Sequence, residues 1–347
     1  MKDLKSYMLQ IVALNLFVMV FICSATESSG QSKGSLLALS KKDHTLAIVD
    51  PATLKVVARI PVGSDPHEVI ASSDGKTAYV TIYGGGTLHE LNVIDLVAQK
   101  PLPNVDTRPL FGPHGIVFVN GKVWFSAEGS KAVASYDPAT GKLDWSMGTG
   151  QDRTHMIYVT PDAKKIYTTN VSSGTVSILM DTLIQPGKTA PPGAKPREDW
   201  MQIVVPTARG SEGFDVLPNG SELWTASSED GTISIVDLRE KKTTAKIDAK
   251  VLGANRFKFT PDGKLAFISS LQNGELTIYD TKSRKEVKRL KICKGAAGIE
   301  MDPNGSRAFV ACSADDYIAV IDLKTLEVTS HFDVGGTPDG LAWAVQP

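Results

Sequence analysis

From residue 34 onward the chain alternates apolar and polar residues in short runs, the period of two expected of strands with one buried face. One segment recurs: an alternating run ending in Asp, a short turn, then a second alternating run. Its copies are HTLAIVDPATLKVVARI, GTLHELNVIDLVAQKPL, KAVASYDPATGKLDWSM, GTVSILMDTLIQPGK, GTISIVDLREKKTTAKI, GELTIYDTKSRKEVKRL and YIAVIDLKTLEVTSHF. Their aspartates are Asp50, Asp95, Asp137, Asp181, Asp237, Asp280 and Asp322, so the steps are 45, 42, 44, 56, 43 and 42 residues. Between them lies a second recurring hairpin, as in PHEVIASSDGKTAYVT and NRFKFTPDGKLAFIS, closed by an Asp-Gly, Asn-Gly or equivalent tight turn. Four strands per repeat follow, with six complete central hairpins. The seventh is split between SLLALS near the start and DGLAWAV at the end. A C-terminal strand that completes the N-terminal blade leaves only short, protected edges. The pattern therefore predicts an all-β, seven-bladed β-propeller of four-stranded antiparallel blades over residues 34–347.

The single irregular step, of 56 residues, contains QPGKTAPPGAKPRED, read as an exposed loop between the third and fourth strands of its blade. Ahead of the repeats, Lys2 and Lys5 precede an apolar stretch from Tyr7 to Ile22, and Cys23-Ser24-Ala25 offers small residues for cleavage. Residues 1–25 read as a secretory signal peptide and 26–33 as a linker. The apolar run is shorter than the ~20 residues a membrane span needs. The expected product is an exported protein, periplasmic or secreted, with no span after cleavage. Beyond Cys23 only Cys293 and Cys312 remain, read as buried thiols with a disulfide as the alternative.

Of 347 residues, 42% are hydrophobic, 22% charged and 7% aromatic, which excludes a disordered chain. A formal charge of −1 without basic clusters excludes nucleic acid as partner. There is no phosphate-binding glycine loop, GxSxG elbow or CxxC pair.

Candidate chemistry comes from the repeat register. The first strand of each propeller blade lines the central channel, and its opening residue faces one mouth. These residues are His67, His114, His155, Glu212, Asn255, Ala297 and Asp339. Three consecutive blades thus bring an imidazole to one slot and the fourth a carboxylate, using half of the six histidines. Such a set suits a divalent metal of the Zn, Cu, Fe or Ni kind. It equally suits hydrogen bonding within a watery channel. Glu128, at the end of a second strand in the slot given to Asn170 elsewhere, is a further candidate metal ligand. Arg153 and Arg256 lie close by, to bind an anionic ligand or to balance Asp152, Glu212 or Asp339. His44, His89 and His331 fall on or before outer strands, facing solvent or blade packing, and Trp124 and Trp224 fall in blade cores. Asn170, Asn219 and Asn304 stand in glycosylation-type sequons read as turns and strand ends.

The segments PDGK, AYVT, IYTTN and DPATGK resemble the YVTN-repeat propellers along essentially all of residues 34–347, which implies an exported bacterial protein of no single activity. The segment GPHGIVFVNGKVWFSAE is also similar to the streptogramin B lyase propellers. That likeness implies His114 as general base, Glu128 as metal ligand and His67 as substrate contact. The acidic magnesium ligand of those lyases is replaced here by Gly112. Three readings stay open. In the first, a monomeric binding protein takes a small molecule at the channel mouth through His67, His114, His155, Glu212 and Glu128, with a divalent metal as candidate centre. The second is a metal-assisted lyase or hydrolase with His114 as base. The third is a scaffold for a cell-envelope protein.

Overall fold

The computed structural model describes residues 34–189 and 191–345; the leader and linker assigned to residues 1–33 lie outside them. Seven four-stranded antiparallel sheets form a ring. Blade 1 is closed as expected: strands Gly34–Ser40, Thr45–Asp50 and Lys55–Pro61 are joined by Pro338–Val345, which sets Leu36 opposite Trp343 and Leu37 opposite Ala342. The other innermost strands are Pro66–Ala71, Pro113–Val119, Thr154–Val159, Ser211–Val216, Ala254–Phe259 and Ala296–Met301, for blades 2 to 7. Consecutive inner strands touch around the ring, and Pro338–Val345 contacts both Pro66–Ala71 and Ala296–Met301.

Burial on both faces of each blade explains why the ring must close. The two sets of side chains along one strand are covered by the two neighbouring blades, Leu36 and Ala38 of blade 1 lying against Phe309 and Ala311 of blade 7. Leu37, Leu39 and Ile48 of blade 1 bury against Val69, Val80 and Ile94 of blade 2. Trp224, Ile233 and Ile235 of blade 5 bury against Phe257 and Ile268 of blade 6. Trp124 and Trp224 are core residues, as expected.

The recurring aspartate caps a turn. Asp50, Asp95, Asp137, Asp237 and Asp322 each accept a hydrogen bond from the backbone N–H two residues on, at 2.8–3.0 Å. Asp181 departs from this because its hairpin continues: Thr175–Ile184 pairs with Arg197–Pro206, bringing Asp181 opposite Trp200. The loop expected over QPGKTAPPGAKPRED is therefore shorter than the sequence suggested. Arg197, Glu198 and Asp199 belong to the ladder, opposite Ile184, Leu183 and Thr182, since backbone pairing is worth more than leaving those groups to water.

Two devices aim side chains at the axis. In all seven blades the pairing of the inner strand slips across the residue at the opening slot and the one after it, for example between Pro66 and Val69 and between Thr154 and Ile157. Such bulges twist a strand and re-aim its side chains. A buried hydroxyl on the second strand then ties neighbouring blades together. Gly115 N–H donates to Ser126 Oγ, which donates to the His155 carbonyl of the next blade. Thr81 links the Glu68 N–H to the His114 carbonyl, and Ser269 links the Arg256 N–H to the Ala297 carbonyl. Glycine after the slot permits this closeness: a Cβ on Gly115 would lie 2.7 Å from the His155 carbonyl oxygen.

Candidate functional site

All seven opening residues converge, lining a chamber of 220 Å³ at one mouth of the channel together with Lys41, Tyr83, Arg153 and Arg256. The ring centroids of His67 and His114 are 4.6 Å apart, and those of His114 and His155 are 3.8 Å apart. Tyr83 closes the stack from the side, 5.1 Å from His114.

His155 is enclosed by carboxylates. Its Nδ1 lies 2.6 Å from Glu128 Oε2, and its Nε2 lies 3.2 Å from Glu212 Oε1, at ion-pair distance but out of line for a hydrogen bond. Burial alone would lower its pKa, but Glu128 and Glu212 outweigh burial and raise it. Glu128 is the mirror case. Burial pushes it up, while His155, the Tyr83 hydroxyl and Arg153 (Nε 3.3 Å away) hold it down at about 2. Glu212, also opposed by burial, is lowered by His155 and Arg256 and accepts a hydrogen bond from Asn255 Nδ2 at 2.9 Å. His114 goes the other way. It is 1% exposed, and burial plus the charges of its neighbours hold its pKa well below the ordinary 6.5, so its imidazole is neutral.

On the opposite side Lys41 Nζ lies 2.6 Å from His67 Nε2, 3.1 Å from Asp65 and 3.5 Å from Asp339. The His67 contact and Lys41 hold Asp65 below the ordinary carboxylate range. Arg256, on blade 6, reaches across the channel to pair through Nη2 with Glu68 on blade 2, and lies 3.7 Å from Asp339 and 3.8 Å from Glu212. It thus balances Glu212 and Asp339 in part, as one reading held, but its main partner is Glu68. Asp152 is taken by Lys131.

Three buried nitrogens at this chamber have no hydrogen-bond partner: His114 Nδ1, His155 Nε2 and Arg256 Nε. Buried polar groups are rarely left so, because each forfeits its hydration without return.

The residues do not converge as a metal shell. Among the described residues no group of three or more His, Cys, Asp or Glu is arranged to hold a metal ion. Both nitrogens of His155 face carboxylates, the Lys41 ammonium sits on His67, and Glu128 stands outside the chamber wall. Gly112 cannot be an acidic ligand either. It has φ +64°, and a Cβ there would lie 2.7 Å from Gly86 Cα. The equivalence of Glu128 with Asn170 is also corrected. Asn170 pairs with Thr154, as Ala127 pairs with Pro113, so Glu128 corresponds to Val171. Asn170 is instead fully buried and bonded to Thr154, Thr175 and Ser177.

The sequence reading missed Lys41, Asp65, Tyr83 and Glu68. Glu68 had a signal, since it follows His67 as Arg256 follows Asn255, an opposite charge in the same slot. Lys41 and Asp65 come from turns, which no periodicity aligns. Cys293 and Cys312 are free, buried thiols in one core cluster between blades 6 and 7. No helix among the described residues is long and apolar enough to cross a membrane.

No family model and no curated protein matches the sequence. Solved propellers do match the fold. A putative 6-phosphogluconolactonase from Bacteroides fragilis superimposes at TM-score 0.70 with 13% identity, covering 91% of this chain and 99% of its own. A putative 6-phosphogluconolactonase from Bacteroides uniformis gives 0.68 with 14% identity, covering 90% and 100%. Kuenenia stuttgartiensis hydrazine synthase gives 0.64 with 15% identity, covering 80% and 89%. At these identities the likeness is one of fold.

Proposed function

We propose that this propeller binds a small molecule rich in hydrogen-bond acceptors, carrying a carboxylate or carbonyl oxygen, in the histidine chamber. The observation that carries the reading is the set of unpartnered buried nitrogens. Arg256 Nε is always a donor, and the rise that Glu128 and Glu212 give the His155 pKa favours the form that offers Nε2–H as a second. Both atoms are closed to solvent, so a ligand oxygen reaches either one on a side-chain shift and then gains a charge-assisted hydrogen bond. The neutral His114 stands beside them as an acceptor or base. The YVTN-like repeats and the leader-like start of the chain are consistent with an exported binding protein.

A second reading has one observation in its favour. A buried imidazole held neutral at pH 7 is suited to act as general base on a water attacking an ester or lactone carbonyl. Arg256 and His155 would then steady the oxyanion. The neighbours described as putative lactonases make lactones the first substrates to try.

Isothermal titration with gluconate, 6-phosphogluconate and glucono-1,5-lactone tests both readings. Saturable binding weakened about tenfold or more in Asn255→Ala and His155→Gln supports the site, because each substitution removes or releases a positioned charge-assisted donor. Binding that is indifferent to both substitutions refutes it. Lactone hydrolysis that is lost in His114→Gln while binding persists selects the catalytic reading.

A further inference from the structure

Arg256 and Glu68 form a bar across the channel, and on its far side the channel widens into a second chamber of 450 Å³. Its walls are set by the residue three places after each opening slot. On blades 2, 3 and 4 these are Ile70, Val117 and Tyr158, with Met156 beside them; on blades 5, 6 and 7 they are Asp215, Lys258 and Glu300. The chamber is therefore divided into an apolar half and a charged half. Ile70, Val117 and Tyr158 are only partly covered, leaving concave apolar surface open within the channel.

The charged half is unbalanced. Lys258 Nζ lies 3.4 Å from Glu300 Oε2. Asp215 is fixed by two backbone donors, Val216 N–H at 2.8 Å and Phe259 N–H at 2.9 Å. The lining holds three carboxylates, Glu68, Asp215 and Glu300, against two cations, Arg256 and Lys258. Glu68 and Arg256 satisfy each other, so Asp215 and Glu300 are left to share the single ammonium of Lys258. We propose that this chamber is a second binding site, for a small organic ammonium ion whose apolar or aromatic body packs on Ile70, Val117 and Tyr158 while its charge lies between Asp215 and Glu300. Burial raises the pKa of both carboxylates and so disfavours their charged form, which an adjacent cation would restore. The volume falls in the range of sites for ligands of this size.

Isothermal titration with 2-phenylethylammonium tests the proposal, with 2-phenylethanol and 3-phenylpropionate as neutral and anionic counterparts. The ammonium ion is expected to bind at least about tenfold more tightly than either counterpart, the worth of one charge-assisted contact. Glu300→Gln should weaken it by about tenfold, and His114→Gln, on the other side of the bar, should leave it unchanged. Val117→Trp, which fills the chamber without touching its charges, should abolish binding while near-ultraviolet circular dichroism remains native. Three results overturn the proposal: no saturable binding of the ammonium ion, equal binding of all three probes, or binding lost in His114→Gln and kept in Glu300→Gln. The last result would move the amine to the histidine chamber, whose own reading is tested separately with acidic ligands.

Discussion

Replacing Glu128 with Gln isolates the electrostatic arrangement on which the histidine chamber rests. The Glu128 side chain is 7% exposed and bonded to His155, so solvent screening does little to weaken the interaction. Its carboxyl is held from an ordinary 4.5 down to about 2. A difference of about 2.5 pH units corresponds to roughly 3 kcal/mol of stability carried by the ionised form. The sign follows from the direction of each shift. Glu128, with a lowered pKa, contributes fully above about 4.5 and loses its contribution as pH falls towards about 2. His155, with a raised pKa, contributes fully below its ordinary 6.5 and loses its contribution as pH rises through its folded value. Their pairing is therefore strongest between about pH 4.5 and 6.5. Glu128→Gln should lower the melting temperature by roughly 6 °C at pH 5.5, at about 2 °C per kcal/mol for a domain of this size. The penalty should shrink at pH 3.5 and again at alkaline pH. Differential scanning calorimetry across that range is the assay. A Gln variant that melts with the parent at pH 5.5, or a penalty that does not vary with pH, refutes the reasoning.

Three further outcomes follow from the same geometry. Gly115→Ala should destabilise the fold by about 1–3 kcal/mol, because the new methyl meets the His155 carbonyl at 2.7 Å and forces blades 3 and 4 apart; an unchanged denaturant midpoint contradicts this. Zn²⁺ or Mg²⁺ should leave the melting temperature where it is, since His155 would first have to leave Glu128 and Glu212; a rise of several degrees that disappears in His114→Ala would reveal a metal shell. Cys293 and Cys312 should resist a thiol reagent until the protein unfolds, because both are buried and the Cys293 contact together with burial raises the Cys312 pKa; rapid labelling of either in native buffer counts against the packing described.

The blade architecture was legible in the chain, apart from the extended outer hairpin of blade 4. Strand-length apolar runs, a turn aspartate every 42–45 residues outside one insertion, and a half-repeat at each end define seven blades and their closure, because a blade whose two faces are both apolar needs a neighbour on each side. The repeat register also assigned the seven opening residues to one mouth, since equivalent positions in a ring point at a common axis. What each of those residues does was decided only by the tertiary structure. Glu128 supports His155 from outside the chamber, Lys41 and Asp65 arrive on turns that no periodicity tracks, and Arg256 finds its partner 188 residues away on the facing side of the channel. Periodicity places a residue on an element and a face. Charge pairing and burial depend on distances across the axis, and those exist only once all the blades are in place.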